Sequence, residues 1–117
     1  MSKNKIFDCF TFFNEKKLLN IRFNILDKFV DYFVICESKF DHRGEKKILN
    51  FNINDFKKFK EKIIYLVLDD FPKFDTTWER QDYQRDYLIN GISSSKSEDI
   101  ILFSDVDEIP DLENNME

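Results

Sequence analysis

The chain has 117 residues, with 23 acidic and 18 basic side chains and a net charge of −5. This length allows one small domain, and a hydrophobic content of 42% supplies enough apolar surface for a core. The acidic balance and the lack of a basic stripe predict no nucleic acid partner, because Lys and Arg contacts to phosphates dominate such binding.

The sequence predicts a cytoplasmic protein without a membrane span. The N-terminal run "IFDCFTFF" is interrupted by Asp8, so it does not fit the apolar region of a signal peptide. No stretch approaches the roughly 18 apolar residues that a membrane span needs. Cys9 and Cys36 lie in predicted strands without C-x-x-C spacing or a cluster of histidines, which predicts buried free thiols.

The first third of the chain alternates between strand and helix patterns. The run 5–13 is rich in β-forming residues and predicts a first strand, and Asn14 is placed to cap a following helix. Apolar residues at helical spacing predict a helix over 15–29, with a solvent-facing side that includes Arg22. The nearly continuous apolar run 31–38 predicts a strand that is covered on both faces.

The middle of the chain repeats this alternation. A helix is expected over 55–62, with Phe56 and Phe59 facing the core. The apolar run 62–70 predicts the third strand.

The last predicted helix and strand carry clear boundary signals. Thr76 and Glu79 have the S/T-x-x-E spacing of a capping box, so a helix should begin there, with Trp78 in a core or capping contact. Gly91 and the serines after it predict the end of that helix. The run 99–105 predicts a fourth, buried strand.

The order β-α-β-α-β-α-β is typical of an α/β domain with a mostly parallel sheet and flanking helices, here a single domain over 1–117. In such sheets ligands bind outside the carboxyl ends of the strands, where the strand order reverses. The residues at or just after the ends of the strands are therefore candidates for a site. They include Thr11, Glu37, Asp69, Asp105 and Asp107.

The segment "DIILFSDVDEIP" (99–110) carries the strongest functional signal, because an apolar strand runs directly into acidic residues. In an extended segment the side chains at i and i+2 point the same way, so Asp105 and Asp107 are expected to face one cation. Hard carboxylate oxygens suit Mg²⁺ or Mn²⁺. Two carboxylates leave much of the coordination shell to water and substrate phosphates.

Other D-x-D proteins fit this sequence less well. An EF-hand starting at Asp105 needs Gly and Glu where the chain has Pro110 and Met116. An aspartyl-nucleophile phosphatase needs most of its fold after the motif, and only 10 residues follow Asp107. A Walker B acid needs a G-x-x-x-x-G-K-[ST] loop, which the chain lacks. A metal site for a nucleotide diphosphate is favoured, and a phosphate-transfer enzyme with an unrelated α/β fold is the alternative.

Five segments, taken in chain order, carry a resemblance to a known family: "KIFDCFTFFNE", "VDYFVICES", "KIIYLVLDDFP", "YQRD" and "ILFSDVDEIP". Over residues 5–110 the chain resembles the N-terminal part of the β-1,4-mannosyl-glycoprotein β-1,4-N-acetylglucosaminyltransferases, glycosyltransferase family 17. The resemblance implies a GT-A-like, Rossmann-like domain that is truncated after the fourth strand and the D-x-D motif.

The same resemblance implies an inverting transferase that moves N-acetylglucosamine from UDP-GlcNAc to a mannose-containing glycan acceptor. Asp105 and Asp107 match the D-x-D motif and would hold Mn²⁺ or Mg²⁺ against the donor diphosphate, which assists the departure of UDP. The residues predicted to contact the nucleotide sugar are Thr11, Glu37, Asp69, Gln84, Arg85 and Asp105.

Two questions stay open at this point. Arg85 is placed either to pair with Asp105 or a phosphate oxygen, or to form ordinary charge pairs on an exposed helix face. An inverting transfer needs a carboxylate base, and Asp111, Glu113 and Glu117 in the short tail offer no clear candidate. The chain is therefore interpreted either as a transferase domain or as a catalytically inert nucleotide-sugar-binding fragment that lacks the acceptor half.

Overall fold

The computed structural model describes residues 4–41, 43–69 and 76–112. Its centre is an all-parallel sheet with the spatial order β3-β2-β1-β4. The strands are β1 (Ile6–Phe12), β2 (Tyr32–Ser38), β3 (Ile63–Leu68) and β4 (Ile100–Asp105). The predicted α/β class and parallel sheet are confirmed, while the GT-A-like assignment stays a prediction. His42, Asp70, Glu113 and Glu117 lie outside the described residues.

Helical segments cover both faces of the sheet. Helix α1 (Lys16–Leu26) and a 3₁₀ segment (Ile53–Lys62) pack on one face. Helix α2 (Thr77–Tyr87) and a second 3₁₀ segment (Leu88–Ile92) pack on the other face. Alternate residues of the central strands point to opposite faces, so two apolar clusters form, one under each helical layer.

The start of α1 differs from the sequence prediction. The N-cap residue is Glu15, and no side chain caps the helix, so the prediction that Asn14 is the cap is wrong. Glu15 Oε1 instead accepts hydrogen bonds from the backbone N–H groups of Phe13 (2.9 Å) and Asn14 (2.8 Å). The helix also ends at Leu26, three residues earlier than predicted, because a turn follows it.

The predicted helix over 55–62 is a 3₁₀ segment that begins at Ile53. Phe56 has φ −131° and ψ 39°, which interrupts the helical path. Phe56 and Phe59 are nonetheless buried, as their spacing predicted. Their rings pack against Phe23 of α1 at centroid distances of 5.1 and 5.2 Å.

The start of α2 confirms the capping signal, since Thr76 Oγ1 accepts a hydrogen bond from the Glu79 backbone N–H at 3.2 Å. Trp78 is 75% exposed, so its predicted core or capping contact is wrong. Gly91 lies inside the second 3₁₀ segment and is buried against the sheet. Close packing explains this glycine better than a stop signal does.

The predicted burial of the fourth strand is only partly correct. Among the described strands β4 lies at one edge of the sheet, and its residues Ile100 and Phe103 are 38% and 49% exposed. An apolar run alone does not tell an edge strand from a central one. No helix in the described part of the chain has the length and apolarity required to cross a membrane.

Both cysteines are buried free thiols, as predicted. Cys9 and Cys36 lie on adjacent strands in the apolar layer under α2. Burial raises the pKa of each thiol to about 12. Because a thiol reacts as its thiolate, both should be inert in the folded protein.

We expect neither cysteine to react with an aromatic disulfide reagent near neutral pH until the chain is unfolded in urea. Above about pH 9 the unfolded thiols ionise while the folded ones stay protonated, so the unfolded state binds fewer protons and stability falls as pH rises. Urea unfolding at neutral and alkaline pH measures this loss. The Cys9→Ala/Cys36→Ala variant should lose most of the pH dependence and keep the part due to Tyr65, whose pKa is also raised by burial. Rapid labelling of the folded chain would contradict the assignment.

Candidate functional site

The strand order reverses between β1 and β4. The chain passes from β1 to β2 and β3 on one side, and β4 then lies on the other side of β1. Thr11 of β1 pairs in register with Asp105 of β4, so both stand at the carboxyl edge of the sheet. This reversal is the position at which open parallel sheets bind ligands.

A cavity of about 340 Å³ opens at this reversal. Its walls come from the ends of β1 and β4, the start of α1 and one side of α2. The lining residues are Thr11, Glu15, Leu18, Gln81, Gln84, Arg85, Asp105, Val106 and Asp107. Five predicted site residues therefore lie around one space.

The D-x-D segment is a turn rather than an extended strand. β4 ends at Asp105, and the Glu108 backbone N–H donates to the Asp105 carbonyl at 2.9 Å. Glu108 Oε1 accepts from the Asp105 N–H at 2.9 Å, and the intervening Val106 is only 4% exposed. The prediction that both carboxylates face one point because the segment is extended is wrong in its premise, yet Asp105 and Asp107 still line the same cavity.

Arg85 combines the two arrangements that the sequence left open. Its Nη2 lies 3.5 Å from Asp105 Oδ1, and its Nη1 lies 3.8 Å from Asp82 Oδ1 on the same helix. All three side chains are at least half exposed, and such exposed ion pairs contribute little stability. The Arg85 guanidinium is therefore able to exchange these partners for a ligand phosphate at low cost.

Gln84 is fixed in the wall of the cavity. Its side chain is 8% exposed, and Nε2 donates to the Cys36 carbonyl of β2 at 3.1 Å. This hydrogen bond ties the cavity-facing side of α2 to the centre of the sheet. Thr11, half-buried at the end of β1, completes that wall.

Arg22 is the largest departure from the sequence prediction, because it is fully buried instead of facing solvent. Its Nε and Nη2 donate to the two carboxylate oxygens of Asp8 at 2.8 and 2.7 Å. Its Nη1 donates to the carbonyls of Asp105 (2.9 Å), Val106 (3.2 Å) and Glu108 (2.9 Å). A helix residue thus holds the backbone of the D-x-D turn.

A signal for Arg22 was present in the sequence. Asp8 is an acidic residue inside an otherwise apolar strand, and a buried carboxylate requires a counter-charge or several hydrogen-bond donors. The sequence spacing did not identify Arg22 as the partner of Asp8, because helical periodicity assigns Arg22 to the polar side of its helix.

Glu37 and Asp69 are not brought to the cavity. Glu37 is fully buried and accepts four hydrogen bonds from groups of the protein. Asp69 follows β3, two strands away from β1, and pairs on the surface with Lys39 at 2.7 Å. The structure gives Glu37 an architectural position, and the predicted donor contacts of both acids stay predictions.

The sequence matches Glycosyltransferase family 17 over residues 1–115. The chain belongs to glycosyltransferase family 17. It is similar to the human β-1,4-mannosyl-glycoprotein 4-β-N-acetylglucosaminyltransferase, with 34% identity over 107 residues that cover 83% of this chain and 20% of the human protein. The mouse enzyme of the same name is 33% identical over the same coverage. The chain thus spans about a fifth of the length of these relatives, and no solved structure matches it.

For a family 17 chain, two polar cavity residues, Gln81 and Glu15, were missed by sequence reasoning. Gln81 lies three and four residues before Gln84 and Arg85, so the three share one side of α2, and this spacing was readable in advance. Glu15 carried no such signal, because it was assigned to the predicted helix 15–29 and its position in the cavity lining depends on where β1 ends.

The charge of this family 17 cavity favours a cation. Among the described lining residues, three are acidic (Glu15, Asp105 and Asp107) and one carries a guanidinium (Arg85). A diphosphate would be repelled by this surface unless a metal ion neutralised it. Over residues 4–41, 43–69 and 76–112 no three His, Cys, Asp or Glu side chains gather into a metal cage. Two carboxylates still fit Mg²⁺ or Mn²⁺ that is completed by water and phosphate oxygens.

Proposed function

We propose that this chain forms the donor-binding part of a glycosyltransferase. Its donor is UDP-GlcNAc, its acceptor is a mannose-containing glycan, and Mn²⁺ or Mg²⁺ assists donor binding. The proposal includes a GT-A-like fold, which the parallel sheet supports at the level of class. A cytoplasmic location and the absence of a nucleic acid partner stay predictions from sequence.

One observation carries the proposal: the cavity at the reversal of strand order brings together Asp105, Asp107 and Arg85. Carboxylates suited to a hard divalent cation thus stand beside a guanidinium suited to a phosphate. The volume of about 340 Å³ is at the lower end for small-molecule sites, which suits a diphosphate with part of its nucleoside or sugar. Family membership and the names of the relatives supply the sugar chemistry.

The five predicted site residues that line the cavity each have a role in this proposal. Asp105 and Asp107 would hold the ion, which when bound neutralises charge on the departing UDP. Arg85 leaves its exposed carboxylate partners and binds a phosphate oxygen. Gln84, fixed by β2, and Thr11 orient the donor through hydrogen bonds without needing to move.

Donor binding and sugar transfer are separate claims, and a catalytically inert nucleotide-sugar binder is the alternative to an enzyme. Transfer with inversion needs a carboxylate base. Glu15 is a further carboxylate among the described residues that line the cavity, but its Oε1 already accepts two backbone hydrogen bonds. Release of UDP from UDP-GlcNAc in the presence of a mannose-containing glycan separates the two. Binding without turnover would favour the inert binder.

The first experiment is calorimetric titration of the chain with UDP, with Mn²⁺ present and absent. We expect binding only with Mn²⁺, and we expect Asp105→Asn and Asp107→Asn each to weaken it at least about tenfold, since even outer-sphere partners of a metal contribute that much. Both changes keep the side-chain shape and remove one negative charge, so folding should be unaffected.

Asp69→Asn is the matched control for this titration. It makes the same chemical change in an exposed carboxylate that follows β3, at the opposite edge of the sheet from β4 and outside the cavity, and its UDP affinity should equal that of the parent chain. Equal weakening in all three variants would indicate a general charge effect. Metal-independent UDP binding, or none, would overturn the proposed site.

A further inference from the structure

A buried ion pair connects the interior of the sheet to the turn that carries the metal-binding acids. Arg22 of α1 and Asp8 of β1 are both fully buried, with a bidentate contact at 2.7 and 2.8 Å. The Arg22 guanidinium also stacks on the Phe10 ring at 4.4 Å and donates to Ser104 Oγ at 2.6 Å. Its position is therefore fixed by neighbours on β1 and β4.

The remaining N–H groups of Arg22 point at the D-x-D turn. They reach the carbonyl oxygens of Asp105 and Val106, the first and middle residues of the motif, and of Glu108, which follows it. These bonds fix the backbone of the turn, whereas Arg85 contacts the Asp105 carboxylate from α2. The two arginines thus act on different parts of the same segment.

We propose that Arg22, oriented by Asp8, is a positioning residue that sets the D-x-D turn so that both carboxylates face the cavity. The expected effect of Arg22 on donor binding rests on the proposed function. The hydrogen bonds from Arg22 to Asp105 and Val106 go to their backbone carbonyls, so its effect passes through the turn backbone. The planar fork of Arg suits this task, since one side chain must satisfy a carboxylate and several carbonyls together.

A simpler explanation is that Arg22 only neutralises Asp8. A buried ion pair can often be replaced by apolar residues of similar volume without loss of stability, while removal of one partner is strongly destabilising. The two explanations, neutralisation and positioning, therefore predict different results when both Asp8 and Arg22 are replaced by apolar residues. Neutralisation alone predicts full recovery, and positioning predicts recovery of stability without recovery of the turn.

The test compares Arg22→Met with the double variant Asp8→Val/Arg22→Met in the full chain. Arg22→Met should lower the melting temperature strongly, and the double variant should recover most of that loss. In the double variant we expect hydrogen exchange of the peptide containing residues 105–108 to become at least about tenfold faster, and Mn²⁺-dependent UDP affinity to fall at least about tenfold, the range for partners that orient a metal site. Lys17→Met, which removes an exposed cation from the same helix, is the control and should change neither.

Arg22→Lys tests the same claim if the double variant does not fold. It keeps a positive charge opposite Asp8 but lacks the fork, so exchange of the turn should still accelerate. The positioning role would be overturned if the double variant kept the exchange rate and UDP affinity of the parent chain. If the double variant does not fold, an exchange rate in Arg22→Lys equal to that of the parent would overturn it. If the parent chain binds no UDP, the proposed function fails, and the exchange data still decide whether Arg22 holds the turn.

Discussion

Glu37→Gln is expected to lower the free energy of unfolding by about 3 kcal/mol or more, as removal of one partner from a buried charged network does. Glu37 Oε2 accepts from Lys47 Nζ at 2.7 Å and the Asn50 N–H at 2.6 Å. Its Oε1 accepts from the Phe51 N–H at 2.9 Å and the Tyr65 hydroxyl at 2.8 Å. An amide in this position turns N–H groups toward donors and leaves the Lys47 ammonium without a counter-charge.

Thermal unfolding measures this effect, with an expected decrease of about 10 °C or more for a domain of this size. Asp69→Asn makes the same acid-to-amide change at the end of the adjacent strand β3, where the side chain is 69% exposed, and should change stability by no more than about 0.5 kcal/mol. A Glu37→Gln chain that melts at the same temperature as the parent but loses UDP binding would make Glu37 a donor ligand, as its place at the end of β2 suggested.

The parts of the fold that were predictable are those that depend on local pattern. The apolar runs of β1 and β2 gave strands within one residue or so of their observed ends, because continuous apolar segments are typical of the centre of a parallel sheet. The candidate cavity followed from topology, since the ends of β1 and β4 meet where the strand order reverses. Thr11 and Asp105 were placed by this reasoning, whereas Arg85 was named from its position on the last predicted helix and in the YQRD segment.

The parts that were not predictable depend on partners that are distant in sequence. Arg22 was assigned to solvent because helical periodicity gives a charged residue to the polar side, yet its bonds reach 83 to 86 residues along the chain. Glu37 was assigned to the ligand edge because it ends a strand, and the loop that saturates its oxygens had no readable pattern. In both cases a buried charge found its partners through tertiary packing.

The local conformation of the D-x-D motif was also not predictable from the sequence pattern. The alternation rule that places i and i+2 on one side holds for extended backbone, and β4 stops at the first aspartate. The two carboxylates share the cavity because of a turn that Glu108 closes and that Val106 anchors in the core. The expectation that the two carboxylates share one space therefore rested on an incorrect local conformation, and the contributions of Glu108 and Val106 to the turn were visible only in the structure.

Gly91→Ala is expected to destabilise the chain by about 1–3 kcal/mol, the usual cost of overfilling a packed core. A Cβ at Gly91 would lie 2.3 Å from Val34 Cγ1 on β2 and 3.2 Å from Leu66 Cδ1 on β3. Replacement of glycine by alanine in a helical segment normally gains about 0.5–1 kcal/mol. The steric cost exceeds that gain, because Val34 is fully buried and cannot withdraw.

Urea unfolding of a double-mutant cycle identifies the cause. Val34→Ala removes the methyl group that the new Cβ meets, so the combined Gly91→Ala/Val34→Ala chain should be more stable than the sum of the single changes predicts. Asn90→Ala, an exposed neighbour in the same 3₁₀ segment, measures backbone preference alone and should be nearly neutral. Because this segment continues α2, which carries Gln84 and Arg85, Gly91→Ala should also weaken UDP binding. Additive stabilities in the cycle would mean that close approach to Val34 is not the reason for glycine at this position.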